Sequence, residues 1–145
     1  MTGRLAGKIA LITGVGGGIG AVAASRFAAE GARVVGCDLD AGSAAATADA
    51  VSAEGGEITV MGGVDLGDAE QARAWVDAAV ATYDGIDVLY NNASTQRFAP
   101  LDELSVEDWD FTMRNELDLV YYTVRAAWPH LRAHGGGSII NVGSI

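Results

Sequence analysis

Several residue types on which whole classes of protein depend are scarce in this sequence. It has one cysteine, Cys37, so no disulfide can form within the chain, and nothing indicates an oxidising compartment. It has nine lysines and arginines against 19 aspartates and glutamates, which gives a net charge of −10. Because nucleic acids and anionic membranes bind basic surfaces, neither is an expected partner. We expect a globular protein of the cytoplasm.

The sequence also lacks an uninterrupted apolar run long enough to span a membrane. An uncharged stretch over residues 9–24 follows Arg4 and Lys8 and loosely resembles a signal peptide. Five glycines interrupt this stretch, and each disfavours a continuous helix by about 1 kcal/mol. We therefore interpret it as part of a folded domain rather than as a targeting segment.

Five short apolar runs divide the chain, and helical patterns lie between them. The predicted strands cover residues 8–13, 33–38, 57–61, 86–90 and 138–142. These runs are continuously apolar, which indicates strands buried on both faces of a parallel sheet. Right-handed crossovers then place helices on both faces of that sheet. The sequence predicts one α/β domain over residues 1–145, a Rossmann-type doubly wound parallel sheet of five strands in the order 3-2-1-4-5.

The helical patterns indicate where the helices begin, end and pack. A first helix begins at about Ile19 and ends at Gly31, which serves as its C-cap. Residues 41–53 are rich in alanine, and residues 72–80 carry a buried helical stripe. Ser105 and Asp108 resemble a capping box that opens the next helix. A further helical stripe consists of Leu117, Val120, Val124, Trp128 and Leu131.

The first predicted strand runs directly into a glycine-rich turn that precedes a helix. Glycine lets the backbone turn sharply and approach a pyrophosphate closely. The helix N-terminus supplies free N–H groups and the positive end of the helix dipole. This strand–turn–helix context predicts a dinucleotide-binding turn. Its residues are Gly14, Gly16, Gly17, Gly18, Ile19 and Gly20.

Asp38 ends the second predicted strand and indicates which dinucleotide is bound. A carboxylate at this position can accept hydrogen bonds from the adenosine ribose hydroxyls, and it repels the 2′-phosphate of NADP. No lysine or arginine lies between Val34 and Arg73, and none lies in the glycine turn. NAD is therefore preferred over NADP. The alternative is that Asp38 is a helix N-cap or a solvated loop residue.

The spacing Thr13-Gly14-(x)3-Gly18-Ile19-Gly20 resembles that of the short-chain dehydrogenase/reductase family, and further motifs agree in order. Asp65 is similar to the family aspartate that contacts the adenine ring; alternatively, it is an acid at the start of a helix. Asn91, Asn92, Ala93 and Ser94 resemble the family's Asn-Asn-Ala-Gly turn, with Ser94 in place of glycine. The resemblance implies that Asn91, Asn92 and Ala93 contact the cofactor.

The same resemblance implies two catalytic positions. Asn115 is similar to the catalytic helix asparagine, which holds a water of the proton relay, although a solvated polar position is the alternative. Ser144 is similar to the catalytic serine, which hydrogen-bonds the substrate oxygen. The implied reaction is NAD-dependent hydride transfer between the cofactor and an alcohol or ketone. A homo-oligomer is the implied assembly of the complete protein.

The tyrosine and lysine that the resemblance implies as acid/base machinery have no match in the sequence. Lys8 is the only lysine, and no tyrosine has a lysine four residues later. Tyr121 has Arg125 at that spacing, but before the fifth predicted strand. The sequence ends one residue after Ser144, so we interpret it as part of a longer dehydrogenase and expect the 145 residues alone to be inactive. With residues 138–142 as an apolar edge strand, we also expect them to aggregate or form oligomers.

Other interpretations of the sequence stay open at this point. The chain could be a non-catalytic NAD-binding or interaction module, or a methyltransferase-like domain that binds S-adenosylmethionine. His130 and His134 are spaced to bind a metal, but the sequence offers no third ligand. Residues 96–98 follow the Asn-Asn-Ala-Ser turn and border a hypothetical substrate pocket. Trp75, Trp109 and Trp128 are expected in the core or at an interface.

Overall fold

The architecture is a five-stranded parallel sheet with helices on both faces, seen in a computed structural model that describes residues 3–143. The strands are β1 (Ile9–Thr13), β2 (Arg33–Asp38), β3 (Glu57–Gly62), β4 (Val88–Asn91) and β5 (Ser138–Asn141). The helices are α1 (Gly18–Ala29), α2 (Ala41–Ala53), α3 (Ala69–Tyr83), α4 (Val106–Met113) and α5 (Leu119–Ala133). A π-helical segment, Arg114–Asp118, joins α4 to α5 and is called the π-turn below.

The strand order is β3-β2-β1-β4-β5, and every pairing is parallel, so the predicted fold class and strand order are confirmed. Along β1, successive side chains enter opposite layers, as strand geometry requires. Ile9 and Leu11 pack with α3 and α5, whereas Ala10 and Ile12 pack with α1 and α2. All five residues of β1 are buried because this strand lies at the centre of the sheet.

Local sequence signals account for several helix ends. Ser105 accepts a hydrogen bond from the Asp108 N–H at 3.0 Å, which confirms the predicted cap of α4. Gly31 follows α1 with φ of +90°, and the next amide, that of Ala32, donates to the Phe27 carbonyl. This pattern closes the helix with glycine in the left-handed region.

The outward face of α5 differs from the expected packing. Its buried residues are Leu119, Thr123, Ala127 and Leu131. Leu117 and Trp128, two members of the predicted stripe, are 55% and 53% exposed. Two adjacent apolar stripes run along this helix, and the periodicity does not show which one meets the sheet. Trp75, by contrast, is fully buried, and its Nε1 donates to the Gly36 carbonyl at 3.3 Å. Within residues 3–143, no helix has the length and hydropathy needed to cross a membrane.

A nearly buried carboxylate joins the start of β1 to the start of β4. Asp87 accepts hydrogen bonds from Lys8 Nζ at 2.8 Å and from the Ile9 N–H at 2.9 Å. Burial by itself raises the pKa of Asp87, but the bonds to Lys8 and Ile9 outweigh it, and the pKa lies below its usual value. A carboxylate with a lowered pKa stabilises the fold above the pKa of the unfolded state, and this contribution is lost as pH falls through the folded-state value.

We expect Asp87→Asn to lower the free energy of unfolding by about 1–3 kcal/mol at neutral pH. The nearly buried carboxylate loses its ion pair with the half-exposed Lys8, and its hydrogen bond from the Ile9 N–H is weakened. Urea denaturation at neutral pH and near pH 3 measures the effect. The difference in unfolding free energy between Asp87→Asn and wild type should narrow as pH falls below about 4, because Asp87 is then protonated in the unfolded state whereas its folded-state pKa lies lower. Asp77→Asn is the control, since the Arg73–Asp77 pair is exposed. An equal loss in both variants, or a loss independent of pH, would contradict the prediction.

Candidate cofactor and active site

A cleft of about 320 Å³ opens at the carboxyl ends of the strands, where the sheet order reverses between β1 and β4. In open parallel α/β sheets, ligands bind at this switch point. Seven of the predicted site residues line the cleft: Gly14, Gly17, Asp38, Asp65, Asn92, Ala93 and Asn115. Residues predicted from separate motifs therefore meet at one place.

The glycine turn is packed so closely that side chains are excluded at two positions. Gly14 has φ of +70°, and a Cβ there would lie 2.9 Å from the Ala93 Cα. A Cβ on Gly20 would lie 1.9 Å from the Gly14 carbonyl oxygen. The requirement for glycine at these positions is therefore set by contact with neighbouring backbone.

Thr13 and Asn92 join the glycine turn to the turn after β4. The buried Thr13 Oγ1 accepts hydrogen bonds from the Asn92 and Ala93 amides, each at 2.9 Å. In return, Asn92 Nδ2 donates to the carbonyls of Thr13 and Gly14 at 3.1 and 3.2 Å. Thr13 stands at the head of the glycine motif in the sequence, but no role was predicted for it.

The start of α1 presents free backbone donors at the cleft. Gly17, the N-cap residue, lines the cleft, and among the described residues no side chain caps this helix. The first turn contains no acidic residue, and Ile19 is 61% exposed. Uncapped N–H groups at the positive end of a helix dipole bind phosphate. Gly16 and Gly18 lie in the same turn without lining the cleft.

Asp38 lies at the end of β2 and connects two loops while lining the cleft. Its Oδ2 accepts from the Gly16 N–H at 2.8 Å, and its Oδ1 accepts from the Asp40 N–H at 2.9 Å. The N-cap of α2 is Asp40, not Asp38, so the N-cap alternative for Asp38 is wrong. Among residues 3–143, no lysine or arginine lines the cleft. A phosphate beside Asp38 would have no cationic partner there.

Asp65 and Asn115 stand on the far side of the cleft. Asp65 Oδ2 accepts from Arg114 at 2.7 Å, and Oδ1 accepts from the Gly67 N–H at 3.0 Å. The hydrogen bond to Asp65 and its negative charge raise the pKa of Arg114. Asn115 lies in the π-turn, where its Nδ2 donates to the Phe111 carbonyl at 2.8 Å. Isolated π-helical turns inside helices are frequent at functional sites.

Asn91 lies away from the cleft, unlike the rest of the predicted Asn91–Ala93 group. Its side chain is buried between β5 and α5, where Nδ2 donates to Asn141 Oδ1 at 2.9 Å. Its Oδ1 accepts from Thr123 Oγ1 at 2.8 Å. Because both ends of the amide are occupied, the structure gives Asn91 a role in fixing β4 and β5 rather than a cofactor contact.

The family model described as short chain dehydrogenase matches residues 8–145. The chain belongs to the short-chain dehydrogenase family.

Two curated dehydrogenases and one solved structure show the extent of the similarity. D-threitol dehydrogenase of Mycolicibacterium smegmatis is 39% identical over 141 residues, which cover 97% of this chain and 54% of that protein. The 2,5-dichloro-2,5-cyclohexadiene-1,4-diol dehydrogenase of Sphingobium indicum is 37% identical over 145 residues. The matched region covers 100% of this chain and 58% of that protein. A crystal structure described as a short-chain dehydrogenase/reductase from Burkholderia xenovorans superposes with a TM-score of 0.92 and is 33% identical in sequence. The match covers 98% of this chain and 58% of the chain in that structure. The chain thus spans about half the length of these relatives.

Apart from Ser144, the remaining candidate residues of the sequence lie outside the cleft. Ser144 lies outside the described residues 3–143. Tyr121 and Arg125 contact each other at 3.4 Å on the outward face of α5 and do not line the cleft. Arg97 pairs with Asp108 at 2.8 Å rather than lining the cleft. Within the described part of the chain, no group of three potential ligands could hold a metal, and His130 and His134 instead lie near aspartates.

Proposed function

We propose that this chain binds NAD and forms the cofactor half of an oxidoreductase that transfers hydride between NAD(H) and an alcohol or ketone. The observation that carries the proposal is the convergence of the glycine turn, Asp38 and Asn115 on one cleft. Membership of the short-chain dehydrogenase family supports the same reaction class. The comparisons offer no support for the methyltransferase-like alternative.

The chemistry of the residues that line the cleft suits the parts of a dinucleotide. The uncapped N-terminus of α1 would hold the pyrophosphate, and Asp38 would accept the ribose hydroxyls. Asp65 would border the adenine, and Asn92 and Ala93, which also line the cleft, would border the nicotinamide end. The cofactor would supply the hydride acceptor or donor. The cleft volume falls in the range of small-molecule sites, which is about 300–1,000 Å³.

NAD is the proposed cofactor rather than NADP. In the proposed binding mode, Asp38 would lie beside the 2′-phosphate of NADP, and no described basic side chain lines the cleft to offset its negative charge. Desolvating a phosphate beside a carboxylate without a cation is unfavourable.

For catalysis, we propose that Asn115 holds a water in the proton relay and that Ser144 hydrogen-bonds the substrate oxygen. An ordinary tyrosine has a pKa of about 10 and needs a nearby cation to act as a base at neutral pH. Since Lys8 is the only lysine of this sequence, hydride transfer is proposed only for a protein that also contains the family's tyrosine–lysine pair. For the present 145 residues, a non-catalytic NAD-binding module is the second candidate.

A fluorescence titration tests the cofactor proposal. We expect NADH to bind the 145-residue chain with a Kd at least about tenfold lower than that of NADPH, because only NADPH sets a phosphate against Asp38. S-adenosylmethionine is the negative control. Absence of NADH binding by a cooperatively folded chain would contradict the proposal. Hydride transfer from NADH to a ketone by the 145 residues would instead rule out the non-catalytic candidate.

We also propose a cytoplasmic homo-oligomer whose contact surface is the outward face of α5. Together with Leu117 of the π-turn, this face carries an almost entirely apolar surface. Its residues on α5 are Val120, Tyr121, Val124, Arg125, Trp128 and Pro129. Exposed apolar patches of this kind mark interaction surfaces.

We expect Trp128→Glu to shift the protein towards monomers, because it replaces a large exposed apolar side chain of this surface with a charge. Light scattering coupled to size-exclusion chromatography measures the mass. Arg132→Glu, an exposed change on the same helix outside the surface, should leave the mass unchanged. If Trp128→Glu keeps the wild-type oligomer mass, α5 does not form the contact.

A further inference from the structure

The two neighbours of Asn115 reach opposite walls of the cofactor cleft. Arg114 Nη2 donates to Asp65 Oδ2, at 2.7 Å, in the loop after β3. Glu116 Oε1 accepts a hydrogen bond from Ser94 Oγ in the loop after β4. Since Asp65 and Ser94 both line the cleft, the π-turn is held at both sides of the site.

The Arg114 contact is supported by the loop it reaches. Asp65 is held in place because Oδ1 accepts the Gly67 N–H and its own N–H donates to Gln71 at 2.9 Å. Gly67 leaves room for the guanidinium, since a Cβ there would lie 2.5 Å from Arg114 Nη1. The side chains of Arg114 and Asp65 are 41% and 35% exposed, so we expect a modest energetic effect and a mainly positional one.

The Ser94 contact uses a residue at which this chain departs from the family turn. Asp84 is the only non-glycine residue with positive φ among residues 3–143, so Ser94 is accommodated without left-handed backbone. Its hydroxyl adds a donor that glycine lacks, and Glu116 is the acceptor. The substitution therefore creates a connection between the turn after β4 and the π-turn.

We propose that Arg114 and Glu116 are positioning residues that clamp the π-turn across the cleft and thereby place Asn115. A π-helical turn is rarer and less regular than α-helix, so it is expected to need tertiary contacts to persist. The Arg114–Asp65 contact holds it on the adenine side, and the Ser94–Glu116 contact holds it on the nicotinamide side. The assignment of these two sides rests on the proposed NAD-binding function.

Amide hydrogen exchange of the 145-residue chain without cofactor tests the clamp directly. We expect Arg114→Met and Ser94→Ala each to accelerate exchange in a peptide over residues 112–119 by about fivefold, with β1 and β2 unchanged. Ser94→Thr keeps a hydroxyl and should restore the wild-type rate. Arg73→Met removes an exposed ion pair on α3 and is the matched control. Wild-type exchange in both clamp variants, or faster exchange throughout the chain, would overturn the clamp.

Binding measurements with AMP and NADH test whether the Arg114 contact lies on the adenine side of the cleft and the Ser94 contact on the nicotinamide side. We expect Arg114→Met to raise the Kd of both AMP and NADH by about fivefold. Ser94→Ala should raise the Kd of NADH and leave the Kd of AMP unchanged. Equal effects of the two variants on AMP would overturn the assignment of sides. If wild type binds neither nucleotide, the proposed function fails, whereas the exchange result still decides whether the clamp exists.

Discussion

Gly20→Ala is expected to lower the free energy of unfolding by about 3 kcal/mol, the upper end for overpacking, and to abolish NADH binding. The added Cβ would lie 1.9 Å from the Gly14 carbonyl oxygen and 2.7 Å from Asn92 Nδ2. The first of these atoms is backbone, so no side-chain rotation relieves the overlap. The start of α1 must move away from the glycine turn, and the N–H groups at the cleft move with it.

Thermal unfolding followed by circular dichroism measures the stability effect, and we expect a melting temperature lower by about 10 °C. Gly17→Ala is the matched control, because a Cβ there meets nothing within 4 Å and φ is −179°, which any residue adopts. Its melting temperature should fall by no more than about 3 °C, because alanine is only a weaker N-cap than glycine and meets no steric overlap. A Gly20→Ala protein with unchanged melting temperature and unchanged NADH titration would refute the packing argument for this turn.

Asp38→Asn is expected to reduce the preference for NADH over NADPH by about tenfold or more, since two nearby charges at a protein surface interact by several kcal/mol at an effective dielectric constant of about 20. In the wild type, Asp38 accepts a hydrogen bond from the Gly16 N–H at 2.8 Å, and asparagine keeps one oxygen that can accept the same bond. The substitution therefore removes the charge while keeping a link to the glycine turn. Paired titrations with NADH and NADPH give the ratio.

Asp40→Asn is the control that separates the effect of the Asp38 charge within the cleft from the effect of the protein's net charge. Asp40 caps α2 without lining the cleft, and asparagine is an equally good N-cap. We expect its NADH to NADPH ratio to stay within about twofold of wild type, because the charge it removes is outside the cleft. Equal changes in the two variants would show that Asp38 acts only through overall charge.

The sequence predicted the sheet more closely than its helix faces. The predicted second strand and second helix coincide with β2 (Arg33–Asp38) and α2 (Ala41–Ala53). Other strand ends shifted by one or two residues, as in β4, which begins at Val88 rather than at residue 86. Strand ends depend on which backbone groups find partners, and those partners belong to other parts of the chain.

Asn91 and Asn92 show why adjacent residues of one motif separate. Successive residues at the end of a strand point to opposite faces of the sheet. Asn91 therefore meets Thr123 and Asn141 in the interior, while Asn92 turns to Thr13 at the cleft. A motif identifies both residues, but only the positions of α5 and β5 show that the first is structural.

The sequence was sufficient to predict the fold class, the strand order and a glycine-rich turn between β1 and α1. These follow from local periodicity, glycine spacing and the handedness of crossovers, which are short-range properties. The tertiary structure alone decided which stripe of α5 faces the sheet, where Asn91 points, and that Arg114 and Glu116 join the π-turn to Asp65 and Ser94. These contacts link residues that are distant in the chain, so their formation depends on how all the elements pack together.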